Sequence, residues 1–177
     1  FAAVSLEPVP DRTVVLTFDD AVRSHLEYVA PLLREHGFGA TFFVTGFWMS
    51  DTENHLSWEE IAQLHEMGFE IGNHTWSHTG MGTPRLAARL EGQLALVESA
   101  LKKVGVPKPV SFGCPGNAFS TEALEVLRAN GYLFARRGMQ PEIQYGKIVP
   151  GPLYDPTAHD PLLIPSAGDA YPEWNLE

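Results

Sequence analysis

Two groups of side chains carry most of the chemistry this sequence offers. The run Thr17-Phe18-Asp19-Asp20 closes an apolar stretch with two adjacent carboxylates, and Gly72-Asn73-His74-Thr75-Trp76-Ser77-His78 sets two imidazoles four residues apart. Imidazoles at that spacing converge on one ion when they share a turn of helix, and two neutral imidazoles with one carboxylate leave a coordination position open for water. That donor set suits zinc or a related divalent transition ion. In a chain with seven histidines the spacing by itself is a weak signal. The position of the pair directly after a strand is the stronger part. A cation also removes the objection to crowding Asp19 and Asp20 together, because unneutralised neighbouring carboxylates raise each other's pKa. Successive residues on a strand point to opposite sides, so one aspartate can be a ligand and the other a base unless the backbone bends there. The bland alternative is that the pair opens a turn and caps the helix that begins near Ser24.

The elements that must position these residues follow from hydrophobic periodicity. Short apolar runs at 14–18, 40–44, 70–73, 109–112 and 132–136 read as strands, and longer segments at 24–36, 58–67, 85–104 and 122–129 read as helices. Gly37, Gly68 and the pair Asn130-Gly131 stop three of the helices, and Ser120 or Thr121 caps the last. Strands alternating with helices predict a parallel sheet, either open and doubly wound or closed into a barrel. In such folds the ends of the strands form the functional rim, which is where both motifs fall. From Gly138 onward prolines break the pattern, leaving loops and one short strand at 162–164, and residues 170–177 read as the approach to another helix.

Composition narrows the partners. The 177 residues, 44% hydrophobic, suffice for one core, and one domain over 1–177 is expected. A formal charge of −10 disfavours nucleic acid and anionic membranes, so the substrate is expected to be neutral or cationic. The single cysteine, Cys114, excludes an internal disulfide and paired-cysteine zinc sites. No apolar run reaches the roughly 18 to 20 residues of a membrane span.

Thr17-Phe18-Asp19-Asp20 followed by His74-Thr75-Trp76-Ser77-His78 resembles the first two motifs of polysaccharide deacetylases, the NodB homology domain of carbohydrate esterase family four. Gly39-Ala40-Thr41-Phe42-Phe43-Val44 and Gly68-Phe69-Glu70-Ile71-Gly72-Asn73 also look like that family's second and third strands, and the likeness runs from about Val14 to Arg137. The resemblance implies an α/β fold, the irregular (β/α) barrel of the NodB type, here short of its last strands, with an open sheet as the fallback. It implies that Asp20, His74 and His78 hold the metal, that Asp19 takes a proton from water activated there, and that Thr75 steadies the loop. The metal would be zinc, with cobalt or nickel as alternatives. The implied reaction removes acetyl groups from a glycan, N-acetyl groups of amino sugars first, and an extracellular or cell-envelope location goes with it.

The likeness is incomplete in two places. Ser111-Phe112-Gly113-Cys114-Pro115-Gly116 occupies the family's third motif, in which an arginine commonly stands where Gly113 is and an aromatic residue where Gly116 is. Gly116 still offers a backbone N–H to a tetrahedral oxyanion, and Arg136 or Arg137, ending the fifth strand, could supply the missing guanidinium. The late Leu-x-x-His that protonates the departing amine in similar proteins does not occur before Glu177, so the acid lies beyond this segment, is dispensed with or is lost, and His159 is a weak replacement. These gaps keep two other readings in play: an amidase acting on a small non-sugar amide or imide, and a catalytically silent glycan-binding module. His25, His36, His55 and His65 fall on or beside helices and are expected to lie away from the rim. Phe47, Trp48 and Trp76 fall in loops where aromatic faces can stack on sugar rings.

Overall fold

A computed structural model describes residues 13–144 and 151–166, so the segment 170–177 lies outside the described residues. Six strands make one sheet: β1 (Thr17–Asp19), β2 (Thr41–Val44), β3 (Glu70–Asn73), β4 (Ser111–Gly113), β5 (Phe134–Arg137) and β6 (Ile164–Pro165). Their spatial order is their chain order, and every neighbouring pair is parallel. An open doubly wound sheet reverses its strand order partway and carries helices on both faces. Here there is no reversal. Right-handed crossovers that always step the same way put the helices on one face, and the sheet curls with that face outward. The result is the predicted irregular barrel. Among the described residues β1 and β6 do not pair with each other, so the arc is open.

The segment expected as a helix at 24–36 starts as a π-helical turn, His25–Val29, and continues as α1 (Ala30–Glu35). Next come α2 (Trp58–Glu66), α3 (Pro84–Ala87), α4 (Leu90–Lys103) and α5 (Thr121–Ala129). The long helix expected at 85–104 is therefore two pieces. The first is capped by the Thr83 side chain and starts on Pro84; the second is the fourteen-residue α4. Strand ends also shift: residues 14 and 15 are exposed and precede β1, while the 162–164 segment is a 3-10 turn (Pro161–Leu163) leading into β6.

Local chemistry accounts for the borders. Ser57 and Glu60 form a reciprocal capping box at the start of α2. Its end is a Schellman turn, with Gly68 at φ +94°, its N–H on the His65 carbonyl and the Phe69 N–H on that of Leu64. All four residues of β2 are buried, as expected for an inner parallel strand. One apolar cluster, with Phe42, Ile61, Leu64, Val97 and Leu101, packs β2 and β3 against α2 and α4. A second, with Leu90, Leu94, Phe112, Leu127 and Tyr132, packs β4 against α4 and α5.

Candidate active site

The two motifs meet at the C-terminal ends of β1 and β3, and what brings them together is backbone the sequence does not advertise. Asp19 is the last residue of β1, and Asp20 follows with φ +73° and Ala21 with φ +53°. Non-glycine residues enter that left-handed region rarely and at a cost. The bend cancels strand alternation, so both carboxylates reach the same imidazole: His74 Nε2 lies 3.8 Å from Asp19 Oδ2 and 3.6 Å from Asp20 Oδ1. His78 Nε2 is 3.2 Å from Asp20 Oδ1. The helix-capping alternative fails, since Ser24 holds the N-cap position of the following helix and Asp19 is engaged elsewhere.

The histidines converge without a helix. Residues 74–78 form a loop in which Thr75 (φ +62°) and His78 (φ +50°) are both left-handed. The imidazole centroids end 5.0 Å apart. Thr75 is fully buried, and its N–H donates to Asn73 Oδ1 at 2.9 Å. His74 is 1% exposed and its Nδ1 lies 2.7 Å from the Gly113 carbonyl. A carbonyl only accepts, so Nδ1 carries the proton and Nε2 presents its lone pair to the carboxylates. Burial pushes the His74 pKa down, which keeps the ring neutral. Such a backbone anchor on the far nitrogen is the usual orientation device for a metal-binding histidine.

One donor atom each from Asp20, His74 and His78 lies within 4.8 Å of the others. Asp20 Oδ1 is buried and has no hydrogen-bond partner, although two imidazole nitrogens face it. A buried carboxylate oxygen left unpaired is costly, and a cation between these three atoms satisfies it. The residues present fit a divalent ion with nitrogen and oxygen ligands.

Arg136 lies beside Asp19. Its Nη2 donates to both carboxylate oxygens, at 2.6 and 2.5 Å, across 117 residues of sequence. Register explains the reach: Arg136 is the cross-strand partner of Gly113, so a guanidinium from β5 stands next to the position on β4 where the resemblance led one to be expected. The guanidinium also sits 5.4 Å above the Phe43 ring. Arg137 points elsewhere, forking onto Glu142 and the carbonyls of Gly138 and Gln140. Gly116 sits in a 3-10 turn (Pro115–Asn117) with φ +58°, exposed, directly after β4.

Other expectations need adjustment. His25 is not remote: it is 8% exposed, packs on the Phe18 and Phe42 rings, and feels the charges of Asp19 and Asp20. Burial lowers its pKa to about 4, against a smaller opposing pull from those aspartates. A histidine six residues beyond a strand's end gives no pattern from which this could be read. His159 accepts the Asp155 N–H in its own turn and sits against Tyr154. Trp76 stacks on Trp58, and Trp48 stacks on His55 with its centroid 6.3 Å from that of His78, while Phe47 is half exposed beside Trp48.

The chain is similar to several known proteins. The family model for polysaccharide deacetylases matches residues 7–135. A chitin deacetylase of Pestalotiopsis sp is 31% identical over 121 residues, which make up 68% of this chain and 40% of that protein. The peptidoglycan-N-acetylmuramic acid deacetylase of Bacillus subtilis (strain 168) is 27% identical over 134 residues, 75% of this chain and 49% of that one. The chain thus spans less than half the length of these two relatives. Among solved structures, the deacetylase domain of BpsB from Bordetella bronchiseptica superposes with a TM-score of 0.71 at 17% identity, covering 90% of this chain and 72% of that one, which is a likeness of fold. With the family match covering well over half of its 177 residues, the chain belongs to the polysaccharide deacetylase family.

Proposed function

We propose that this chain is the catalytic domain of a metal-dependent hydrolase that removes N-acetyl groups from amino sugars of a glycan. The observation that carries the reading is the convergence of Asp20, His74 and His78 on one point, with the unpaired Asp20 Oδ1 facing it and Asp19 alongside. A divalent ion held there, zinc first, supplies Lewis acidity for activating water and polarising an acetyl carbonyl. Asp19 accepts the proton of the attacking water, since its carboxylate lies at the edge of the cluster. Arg136 fixes the orientation of that carboxylate through both oxygens. Burial holds His74 neutral, and the Gly113 carbonyl turns the ring correctly. The exposed backbone N–H of Gly116 is the donor we assign to the developing oxyanion. A negatively charged chain suits a neutral or, after deacetylation, cationic sugar, and the extracellular or envelope location we propose rests on the family resemblance.

The test is release of acetate from chitin oligomers and from acetylated xylan by metal-loaded protein, with Asp19→Asn and His74→Ala as controls. Release from the chitin oligomers that both substitutions abolish is the expected result. Stoichiometric metal with no acetate from either polymer would refute the proposal and leave a small-amide hydrolase or a silent binder.

A further inference from the structure

We propose that Tyr132 is a positioning residue for the histidine loop, acting through Asn73 to hold His74 and His78 at the spacing a metal requires; this rests on the metal reading above. Tyr132 precedes β5, is 3% exposed and touches neither histidine. Its hydroxyl sits between the Asn73 amide, which donates from Nδ2 at 2.8 Å, and Glu98 Oε1, which accepts at 2.9 Å. The Asn73 side chain is completely used: Nδ2 also donates to the Leu94 carbonyl at 3.3 Å, and Oδ1 accepts the Thr75 N–H at 2.9 Å.

Donor and acceptor chemistry fixes the direction of every link. The Thr75 N–H can only donate and the Leu94 carbonyl can only accept, so the amide has one allowed orientation. Its second Nδ2 hydrogen must go to the Tyr132 oxygen, which leaves the phenolic proton for Glu98. Burial and the neighbouring Glu98 charge raise the Tyr132 pKa, so the phenol keeps that proton. On the outer side, Lys108 Nζ lies 3.4 Å from Glu98 Oε2 and 5.9 Å over the Tyr132 ring. Four parts of the chain, α4, the segment before β4, the segment before β5 and the end of β3, are tied into one line ending at Thr75.

That line matters because of where it ends. Thr75 sits between the two histidines in the left-handed region, a conformation a threonine does not hold unaided. The Asn73 oxygen clamps it, and the tyrosine hydroxyl fixes the rotamer of Asn73. Packing alone needs only the ring: a phenylalanine would fill the same space against Phe112. The hydroxyl is the part that the core does not require.

The experiment measures zinc and cobalt(II) dissociation constants by chelator competition, together with the visible spectrum of the cobalt(II) protein, for wild type, Tyr132→Phe, Leu127→Ala and His74→Ala. Leu127 is a buried member of the same apolar cluster whose side chain takes no part in the hydrogen-bonded line, and alanine keeps the backbone carbonyl that accepts the Tyr132 N–H at 3.0 Å. Outer partners of metal ligands typically carry about 10- to 100-fold in affinity, and from its place behind Asn73 we expect Tyr132→Phe to weaken binding roughly tenfold and to change the cobalt spectrum. Leu127→Ala melts earlier yet keeps the wild-type constant and spectrum. An unchanged constant and spectrum in Tyr132→Phe overturns the proposal, and so does an equal weakening in Leu127→Ala. If wild type binds no better than His74→Ala, the metal reading itself falls and this inference with it, a result distinct from the other two.

Discussion

His25 makes folding stability depend on pH in a way that can be sized from its surroundings. Its ring packs at 5.5 Å on Phe18 and 5.4 Å on Phe42, its Nδ1 is buried without a partner, and its pKa falls from the ordinary 6.5 to about 4. Between those two values the unfolded chain carries a proton on this ring that the folded chain does not. Stability therefore falls as pH drops through the window from 6.5 to about 4, levels off below it, and is at its full value above 6.5. Each pH unit inside the window is worth about 1.4 kcal/mol, so the loss reaches about 2 kcal/mol at pH 5 and about 3 kcal/mol at pH 4. Carboxylates add their own acid sensitivity, so the quantity to measure is a difference. Urea unfolding of chelator-treated protein at half-unit steps from pH 7.5 to 4, for wild type and His25→Phe, isolates it. The variant is expected to show a slope shallower by that amount, because a phenyl ring has nothing to titrate among Phe18 and Phe42. Parallel curves for the two proteins would show that the folded state accommodates a protonated His25, and the burial argument would be wrong.

Two further outcomes follow from the same geometry. Arg136→Gln removes the charge that holds both Asp19 oxygens, and loss of that orientation is expected to lower kcat about 10²-fold while metal affinity stays at the wild-type value; a kcat within twofold of wild type would free Asp19 from any need of Arg136. Gly72→Ala places a Cβ 2.4 Å from a Phe43 ring carbon that is itself packed in place, and thermal melts should show a loss of about 1 to 3 kcal/mol, whereas an unchanged melting temperature would mean the ring moves freely.

What the sequence conveyed and what it withheld divide along physical lines. Strand 41–44 was legible from its apolar run between glycines, and 70–73, which reads Glu70-Ile71-Gly72-Asn73, from its place after the Gly68 helix stop and between two helical periods. The rim location of Asp19, Asp20, His74 and His78 followed from those strands. The mode of convergence did not, because a left-handed Asp20, Thr75 or His78 has no composition signal of the kind a glycine gives. A helix-based argument for His74 and His78 reached the right pairing through the wrong backbone. Arg136 was one of two candidates by type and position, and only register against Gly113 separates it from Arg137. The split between α3 and α4 was hidden by continuous periodicity through Ala88 and Arg89. The line from Glu98 through Tyr132 to Asn73 joins residues 34 and 59 apart, a separation over which a single sequence gives no coupling.

The strictly sequential strand order also sets a timetable. All three donor residues lie within the first 78 positions, while the arginine that restrains Asp19 comes at 136. At a synthesis rate of about 5 to 20 residues per second, the donors leave the ribosome roughly 3 to 12 seconds before that arginine does. Until β5 docks, Asp19 lacks its guanidinium partner beside His74, to which it is as close as Asp20 is to within 0.2 Å. Asp20 already differs by reaching His78 as well, so the guanidinium adds its restraint on Asp19 to an unequal pair, and it does so late, with the fifth strand.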